Sequence, residues 1–160
     1  MRKIVFTSLF LFGYCVYGQL STREKPVSYS IEVPVMTINN NTYKTMPSLD
    51  MGLIIQEDEE SEANGMPPRF GYRHKVDFNL DNSGEWTTLC NGDIIWRLSI
   101  YCPGALSINL LYDKFWIPEE AKFFIYSNDQ KHSIGAFTST NNTGDRDNIL
   151  GFATGLVYGD

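Results

Sequence analysis

Basic residues, histidines and cysteines are all scarce in this sequence of 160 residues, and each shortage excludes a class of function. Thirteen lysines and arginines oppose nineteen aspartates and glutamates, which gives a formal net charge of −6 at pH 7. An acidic chain does not attract the phosphate backbone of nucleic acids or an anionic membrane surface. The two histidines, His74 and His132, do not form the H-E-x-x-H zinc pattern, and no paired C-x-x-C occurs. We therefore predict no nucleic-acid partner and no zinc site.

Motifs for covalent catalysis and for phosphate binding are missing as well. The strand-turn-helix motif G-x-S-x-G, which presents an activated serine, is absent. His132 follows Asp129 closely, but both residues belong to a stretch of ordinary turn composition. Neither G-x-x-x-x-G-K-[ST] nor G-x-G-x-x-G occurs. The sequence therefore predicts no catalytic residue and no cofactor within residues 1–160.

No apolar run is long enough for a permanent membrane anchor. The longest run, 4–18, is shorter than the ~20 residues that a membrane-spanning helix needs. It follows a short basic start and ends in a small residue, which is the order of a secretory signal peptide, so we predict cleavage after Gly18. Cys15 follows the bulky Tyr14, whereas a lipidation signal has a small residue at that position. We expect a secreted, extracellular chain that carries no membrane anchor once the signal peptide 1–18 is removed.

The mature chain keeps two cysteines, Cys90 and Cys102, in a compartment where disulfides persist. If residues 93–101 form one extended strand at ~3.3 Å per residue, the ends of that strand lie about 30 Å apart. A disulfide requires Cα atoms within ~7 Å. We therefore predict two free thiols, unless the strand is broken.

Residues 19–66 are predicted to be a mostly extended leader, because polar residues and prolines interrupt the apolar patterns. Apolar residues between positions 49 and 54 have helical spacing, which predicts one short helix that ends near Gly65. The acidic run 57–62 is interpreted as the solvated end of this helix, since blocks of like charge usually remain hydrated. The Met-Pro-Pro sequence at 66–68 then marks a boundary.

From Phe70 onward apolar and polar residues alternate, which is the period of a strand with one dry face and one wet face. Turn residues such as Asn91-Gly92-Asp93 separate the alternating runs. Short strands without intervening helices indicate an antiparallel β-sandwich or a jelly-roll-like domain. We therefore predict an all-β domain over 67–160, with strands at 75–80, 96–100, 106–110, 123–126, 134–138 and 152–158.

The last predicted strand has no closing turn. It is still apolar at Leu156-Val157-Tyr158, close to the final residue of the sequence. A domain that ended there would expose an unfinished strand edge. We expect the domain to be truncated at its C-terminus, as a fragment of a longer precursor or with its last strand completed by another segment.

One loop has the composition of a calcium ligand set. Oxygen-bearing side chains cluster over 141–148, which makes Asn141, Asp145 and Asp147 candidate calcium ligands. The loop lacks the sixth-position glycine and the twelfth-position glutamate of an EF-hand, so a polar loop without a metal is the favoured interpretation.

Aromatic side chains suggest a second candidate surface. Trp86, Tyr101 and Trp116 are residue types that stack on a sugar ring. Large aromatics at alternate strand positions usually belong to the core, so we expect these three to be core or core-edge residues.

A series of short stretches between 67 and 160 resembles one family in consistent order. The stretches are Pro67–Gly71, Asn82–Trp86, Trp96–Ile100, Pro103–Leu110, Ile117–Ala121, Phe124–Ser127, Ile134–Thr138 and Phe152–Asp160. Together they resemble the N-terminal pro-region of secreted bacterial trypsin-like serine endopeptidases of the lysyl-endopeptidase kind. Cys90 and Cys102 stand where polar residues are usual in the family, and 144–148 lengthens a loop.

The resemblance implies a signal peptide, this β-rich region and then a chymotrypsin-like protease domain that carries the catalytic triad. The region itself is implied to be non-catalytic and to assist the folding, latency or positioning of the downstream protease domain, its expected partner. A different interpretation remains open, in which a free-standing secreted β-sandwich binds glycan or a cell-surface partner. That binding is expected at Trp116 or at the loop 141–148.

Overall fold

The computed structural model describes residues 22, 24–30 and 33–159, so the predicted signal peptide 1–18, including Cys15, lies outside the described residues. The described chain is mainly β, with ten short strands and one α-helix. The strands are β1 Tyr43–Thr45, β2 Glu85–Thr88, β3 Ile94–Arg97, β4 Ser99–Tyr101, β5 Ser107–Ile108, β6 Leu111–Tyr112, β7 Phe123–Tyr126, β8 Ser133–Phe137, β9 Phe152–Ala153 and β10 Val157–Tyr158.

The helix α1 spans Met51–Ala63 and confirms the predicted helix. Its N-cap is Asp50, whose carboxylate accepts hydrogen bonds from the N–H groups of Gly52 and Leu53 and so satisfies free donors of the first turn. It ends before Gly65, which has φ +75°, a left-handed conformation that glycine adopts at little cost. None of its residues is buried.

The strands associate in pairs. Four pairs are antiparallel, namely β2 with β3, β5 with β10, β6 with β9 and β7 with β8. The fifth pair, β1 with β4, is parallel, with Tyr43 opposite Ser99. Within the described residues every strand has one partner, so the sheets are open and two-stranded.

The core lies between the pairs β6–β9 and β7–β8. Phe115, Ile117 and Phe137 form a buried cluster, each no more than 6% exposed. The ring of Phe115 stacks on Phe152 of β9 with a centroid distance of 4.2 Å, and Phe123 of β7 meets it edge-on at 5.8 Å. The partly buried residues around the cluster are Tyr112, Ala121, Phe123, Ile134 and Phe152. Aromatic rings therefore supply most of the apolar contact.

The predicted strand at 75–80 is wrong. No strand forms there, and the side chains of Val76 and Leu80 are exposed. Phe78 instead lies near the ammonium group of Lys44, which is 5.5 Å from the ring centroid. An alternating pattern supplies two faces, but a strand also needs a hydrogen-bonded neighbour, and none of the described strands pairs with this segment.

The predicted single strand at 96–100 is also wrong, because the chain changes partner at Leu98. Arg97 at the end of β3 faces Glu85 of β2, whereas Ser99 at the start of β4 faces Tyr43 of β1. The uninterrupted strand used in the argument about the two cysteines is therefore broken. Cys90, which is exposed, and Cys102, which is half-buried, are both free thiols.

The segment predicted as a leader contributes to the strand pairing, because β1 lies within it and pairs with β4. Two further contacts hold its beginning against β7. The ammonium group of Lys122 is 2.7 Å from the carboxylate of Glu24, and the ring of Tyr29 meets Tyr126 edge-on with a centroid distance of 4.8 Å.

Candidate functional site

The structure brings together the two places at which the sequence predicts binding. Trp116 lies between the buried residues Phe115 and Ile117, on the connection from β6 to β7. The loop 141–148 begins beside it, because the side chain of Asn142 is hydrogen-bonded to the main chain of Ile117. We call Trp116 and this loop the Trp116 site.

The loop of the Trp116 site is closed by its own hydrogen bonds. The Asp145 carboxylate accepts hydrogen bonds from the N–H groups of Asp147, at 3.0 Å, and Asn148, at 2.8 Å. The main chains of Asp145 and Asn148 are also bonded to each other in both directions, and Gly144 pairs with Ile149 in an isolated bridge. The loop is thus a tight hairpin closed by side-chain and main-chain hydrogen bonds.

The three candidate calcium ligands occupy different positions in this loop. Asn141 is buried, and its side-chain oxygen accepts a hydrogen bond from the N–H of Thr138 at 2.9 Å. Asp145 serves the hairpin described above, and Asp147 is exposed. Among the residues that the structure describes, no group of three or more His, Cys, Asp or Glu could hold a metal ion. Calcium binding stays a prediction.

The turn between β7 and β8 contains serine, aspartate and histidine, but not in the arrangement of a catalytic triad. The Ser127 hydroxyl is 2.7 Å from the Asp129 carboxylate and also bonds to the main chain of His132. The His132 Nδ1 accepts a hydrogen bond from the N–H of Tyr158 at 3.1 Å, and within the described residues no hydrogen bond joins the imidazole to the Ser127 hydroxyl. A general base must reach the nucleophile's hydroxyl, so this turn lacks the geometry for nucleophilic catalysis.

The same turn perturbs one carboxyl group. The hydrogen bond from Ser127 is the largest cause that lowers the pKa of Asp129 to about 2, and Lys131 lowers it further through hydrogen bonds and its charge. These partners favour the ionised carboxylate. Their effect is structural, because the carboxylate holds the turn together.

The helix α1 forms an acidic surface. Five of its last seven residues are acidic. Within the described chain, one basic residue from outside the helix forms ion pairs with them. The Arg69 guanidinium is 2.9 Å from the carboxylates of both Glu57 and Asp58, and the hydrogen bond with Glu57 is the largest cause that raises the pKa of Arg69. The remaining acidic residues make no ion pair within the described chain; they are Glu59, Glu60 and Glu62.

The three aromatic residues proposed as a stacking platform lie on different elements. Trp86 is in β2 and is 55% exposed, so of the predicted core or core-edge placement the core is wrong for this residue. Tyr101 is in β4, where its ring stacks near that of Tyr43 at a centroid distance of 6.4 Å. Trp116 belongs to the site described above.

A groove of about 580 Å³ lies beside β1 and was not predicted from the sequence. Its walls include Tyr43, Lys44 and Phe78. The first two residues belong to the predicted leader 19–66 and the third to the predicted β domain 67–160. The groove could not be predicted from residues 19–48, because this part of the sequence contains neither a motif nor a regular spacing of apolar residues.

Neither a protein-family model nor a solved structure matches this chain. Within the described residues, no helix combines the length and the apolar character needed to cross a bilayer. The contacts described above are therefore the basis for a functional proposal.

Proposed function

We propose that this chain is the non-catalytic N-terminal region of a secreted serine endopeptidase precursor, which assists the folding, latency or positioning of a downstream protease domain. The observation that supports the proposal is that the stretches resembling the family supply six of the twelve buried positions among the described residues. Buried residues within those stretches are Ser83, Ile117, Ala136, Phe137, Thr154 and Val157. Buried residues pack against each other in the core, so a resemblance at these positions supports a shared fold.

We propose further that the paired strands close into a β-sandwich. The pairs β6–β9 and β7–β8 face each other through aromatic rings, with Tyr112 and Phe123 at 5.9 Å and Phe137 and Phe152 at 5.3 Å. Two sheets that pack through their inner faces are the defining feature of a sandwich. Nuclear Overhauser contacts between Phe137 and Phe152 support this arrangement, and their absence in a folded sample would contradict it.

The acidic helix α1 is the surface proposed to meet the protease domain. None of its carboxylates is buried, and among the described residues only Glu57 and Asp58 are paired with a cation, Arg69. A protease that cleaves after lysine or arginine binds these side chains in a negatively charged pocket. An acidic helix can therefore bind near such a cleft only through basic groups that flank the pocket. We propose that α1 binds those flanking basic groups and so covers or orders the cleft before maturation.

Export before maturation is part of the same proposal. The basic start and apolar run of 1–18 form a signal peptide in this interpretation, and the remaining chain is extracellular. The coding sequence beyond Asp160 tests the proposal most directly. A continuation into a domain that contains G-D-S-G-G supports it, and a stop codon directly after Asp160 contradicts it.

The binding role is tested by adding this region in trans to the purified protease domain. We expect a higher refolding yield or a slower peptide hydrolysis at micromolar concentration of the added region. A variant with glutamine in place of Glu59, Glu60 and Glu62 is expected to lose much of the effect, because it removes carboxylates that make no ion pair within the described chain. Equal refolding and hydrolysis with and without the region would overturn the proposal.

A second function is favoured by one observation, the attachment of the loop 141–148 beside Trp116. Ligand sites combine aromatic side chains with a few polar groups, and Trp116 and the polar loop supply both types of group. A glycan array distinguishes the two functions. Retention of sugars by the isolated chain, lost in Trp116→Ala and kept in Trp86→Ala, supports this second function.

A further inference from the structure

We propose that the segment joining α1 to β2 is a processing site for endopeptidases that cleave after basic residues. We call residues 66–80 the 66–80 link. The scissile bonds in this proposal are Arg73–His74 and Lys75–Val76. The inference does not need a downstream protease domain, because it concerns this chain as a substrate.

The main chain of the 66–80 link is available to a peptidase. Residues 66–79 form neither helix nor strand. In the described structure, no main-chain N–H or C=O group of 67–76 takes part in a hydrogen bond. Peptidases bind an extended substrate largely through main-chain hydrogen bonds, as an added strand does at a sheet edge. A segment whose main-chain groups are free meets that requirement without local unfolding.

The side chains single out two of the three basic residues in the link. Arg73 and Lys75 are exposed, and neither makes an ion pair within the described chain. Arg69, by contrast, is held by the carboxylates of Glu57 and Asp58 at 2.9 Å. A guanidinium held in two ion pairs must leave both before it enters a specificity pocket, so we expect cleavage after Arg69 to be slower.

Other basic residues of the described chain are protected by their surroundings. Five of them lie in strands, in tight hairpins or in an ion pair beside β7: Lys44, Arg97, Lys122, Lys131 and Arg146. The other two are exposed but precede buried residues: Lys25 precedes Pro26, and Lys114 precedes Phe115, whose N–H donates to the Leu150 carbonyl. Cleavage at such positions requires local opening of the structure first.

The cleavage step is a simple hydrolysis. The hydroxyl of water joins the carbonyl carbon of Arg73 or Lys75, the C–N bond breaks, and a proton goes to the nitrogen of His74 or Val76. The products are one new carboxylate and one new ammonium group, and no other reactant is consumed.

The cut chain is expected to remain associated, because contacts on both sides of the 66–80 link join the two fragments. Strand β1 pairs with β4 in parallel, and Met46 N–H donates to the Tyr101 carbonyl at 2.8 Å. Near the start of the described chain, Glu24 meets Lys122 at 2.7 Å. Cleavage therefore removes the covalent connection between α1 and β2, but α1 stays attached to the fragment that contains β1. We expect the acidic surface of α1 to move more freely after the cut.

Limited digestion of the full chain with trypsin, followed by mass spectrometry over time, tests the proposal. We expect the first cuts after Arg73 and Lys75, at least about tenfold faster than after any other described basic residue. The cut protein should elute as one species in size-exclusion chromatography and as two fragments under denaturing conditions. First cuts after another described basic residue, or separation of the fragments in native buffer, would overturn the proposal.

Three variants sharpen the test. The double variant Arg73→Gln/Lys75→Gln should lose the fast phase, and the matched control Lys131→Gln, at an equally polar exposed site, should keep it. Glu57→Gln/Asp58→Asn should add a fast cut after Arg69 by releasing its guanidinium. A double variant that is cut as fast as the original chain contradicts the assignment. Digestion uses this chain alone, so its outcome is independent of the refolding assay above.

Discussion

The side-chain amide of Asn142 is hydrogen-bonded to both polar main-chain atoms of Ile117. The Ile117 N–H donates to Asn142 Oδ1 at 2.8 Å, and Asn142 Nδ2 donates to the Ile117 carbonyl at 2.8 Å. An asparagine can thus replace a neighbouring strand for one residue, since its amide repeats the donor and acceptor of a peptide group. This pair connects the loop 141–148 to the aromatic core and positions it beside Trp116.

Removal of the Asn142 amide is expected to destabilise the protein. Asn142→Ala leaves the N–H and the carbonyl of the half-buried connection without their partners, which costs about 1–3 kcal/mol. Urea denaturation followed by tryptophan fluorescence measures the free energy of unfolding. Asn148→Ala is the control, because its side chain is exposed and belongs to the same loop. Equal destabilisation by the two variants would contradict the special role of Asn142.

Truncation of the core ring Phe137 is expected to cost about 3–5 kcal/mol, the usual range for a buried phenylalanine. The side chain is 3% exposed and contacts Phe123 and Phe152, with centroid distances of 6.1 Å and 5.3 Å. Phe70→Ala is the matched control, because the Phe70 ring is 83% exposed and should change stability by about 0.5 kcal/mol or less. Thermal denaturation of the two variants separates these expectations. If the two variants had similar melting temperatures, Phe137 would not be a core residue.

The Asp129 carboxyl is expected to titrate at about 2, below its ordinary value of 3.8, because Ser127 and Lys131 stabilise the ionised form. A pKa that is lower in the folded state stabilises the fold above the unfolded pKa. That contribution is lost as the pH falls from near 4 through about 2. Carbon-13 NMR of the carboxyl group measures the midpoint. Ser127→Ala should move it upward, toward the ordinary range, and an unchanged midpoint would show that the hydroxyl is not the cause.

The two thiols are expected to react at different rates with iodoacetamide. Burial raises the pKa of Cys102, which lowers its reactive thiolate fraction at pH 8, and the half-buried position also limits access. Cys90 is exposed. Mass spectrometry after brief alkylation should therefore find Cys90 modified first. Modification of Cys102 first, or resistance of both thiols without reductant, contradicts this expectation.

The helix and the hairpin β7–β8 could be predicted from the sequence because their determinants are local. Helical spacing of apolar residues and a glycine at 65 predicted the helix, and its observed start at Met51 follows from the preceding Asp50, whose side chain caps donors two and three residues further on. The predicted strand 123–126 coincides with β7, and 134–138 differs from β8 by one residue at each end. Turn residues between them bring the two strands together without help from distant parts of the chain.

Strand assignments failed where pairing depended on distant partners. The alternating residues 75–80 have no neighbouring strand, and the run 96–100 is divided because β3 and β4 pair with different segments. Likewise, no spacing rule could place Asn142 on Ile117, since the two are 25 residues apart.

The acidic charge, the absence of catalytic motifs, the helix and the hairpin β7–β8 can be read from the sequence alone, because they follow from composition and from neighbours a few residues apart. The tertiary structure decided which strands pair, that β1 from the leader joins β4, and that the 66–80 link stays unpaired. These pairings join strand edges and aromatic rings that are far apart in the sequence. Bringing them together costs loop-closure entropy, which is offset only when several long-range contacts form at once.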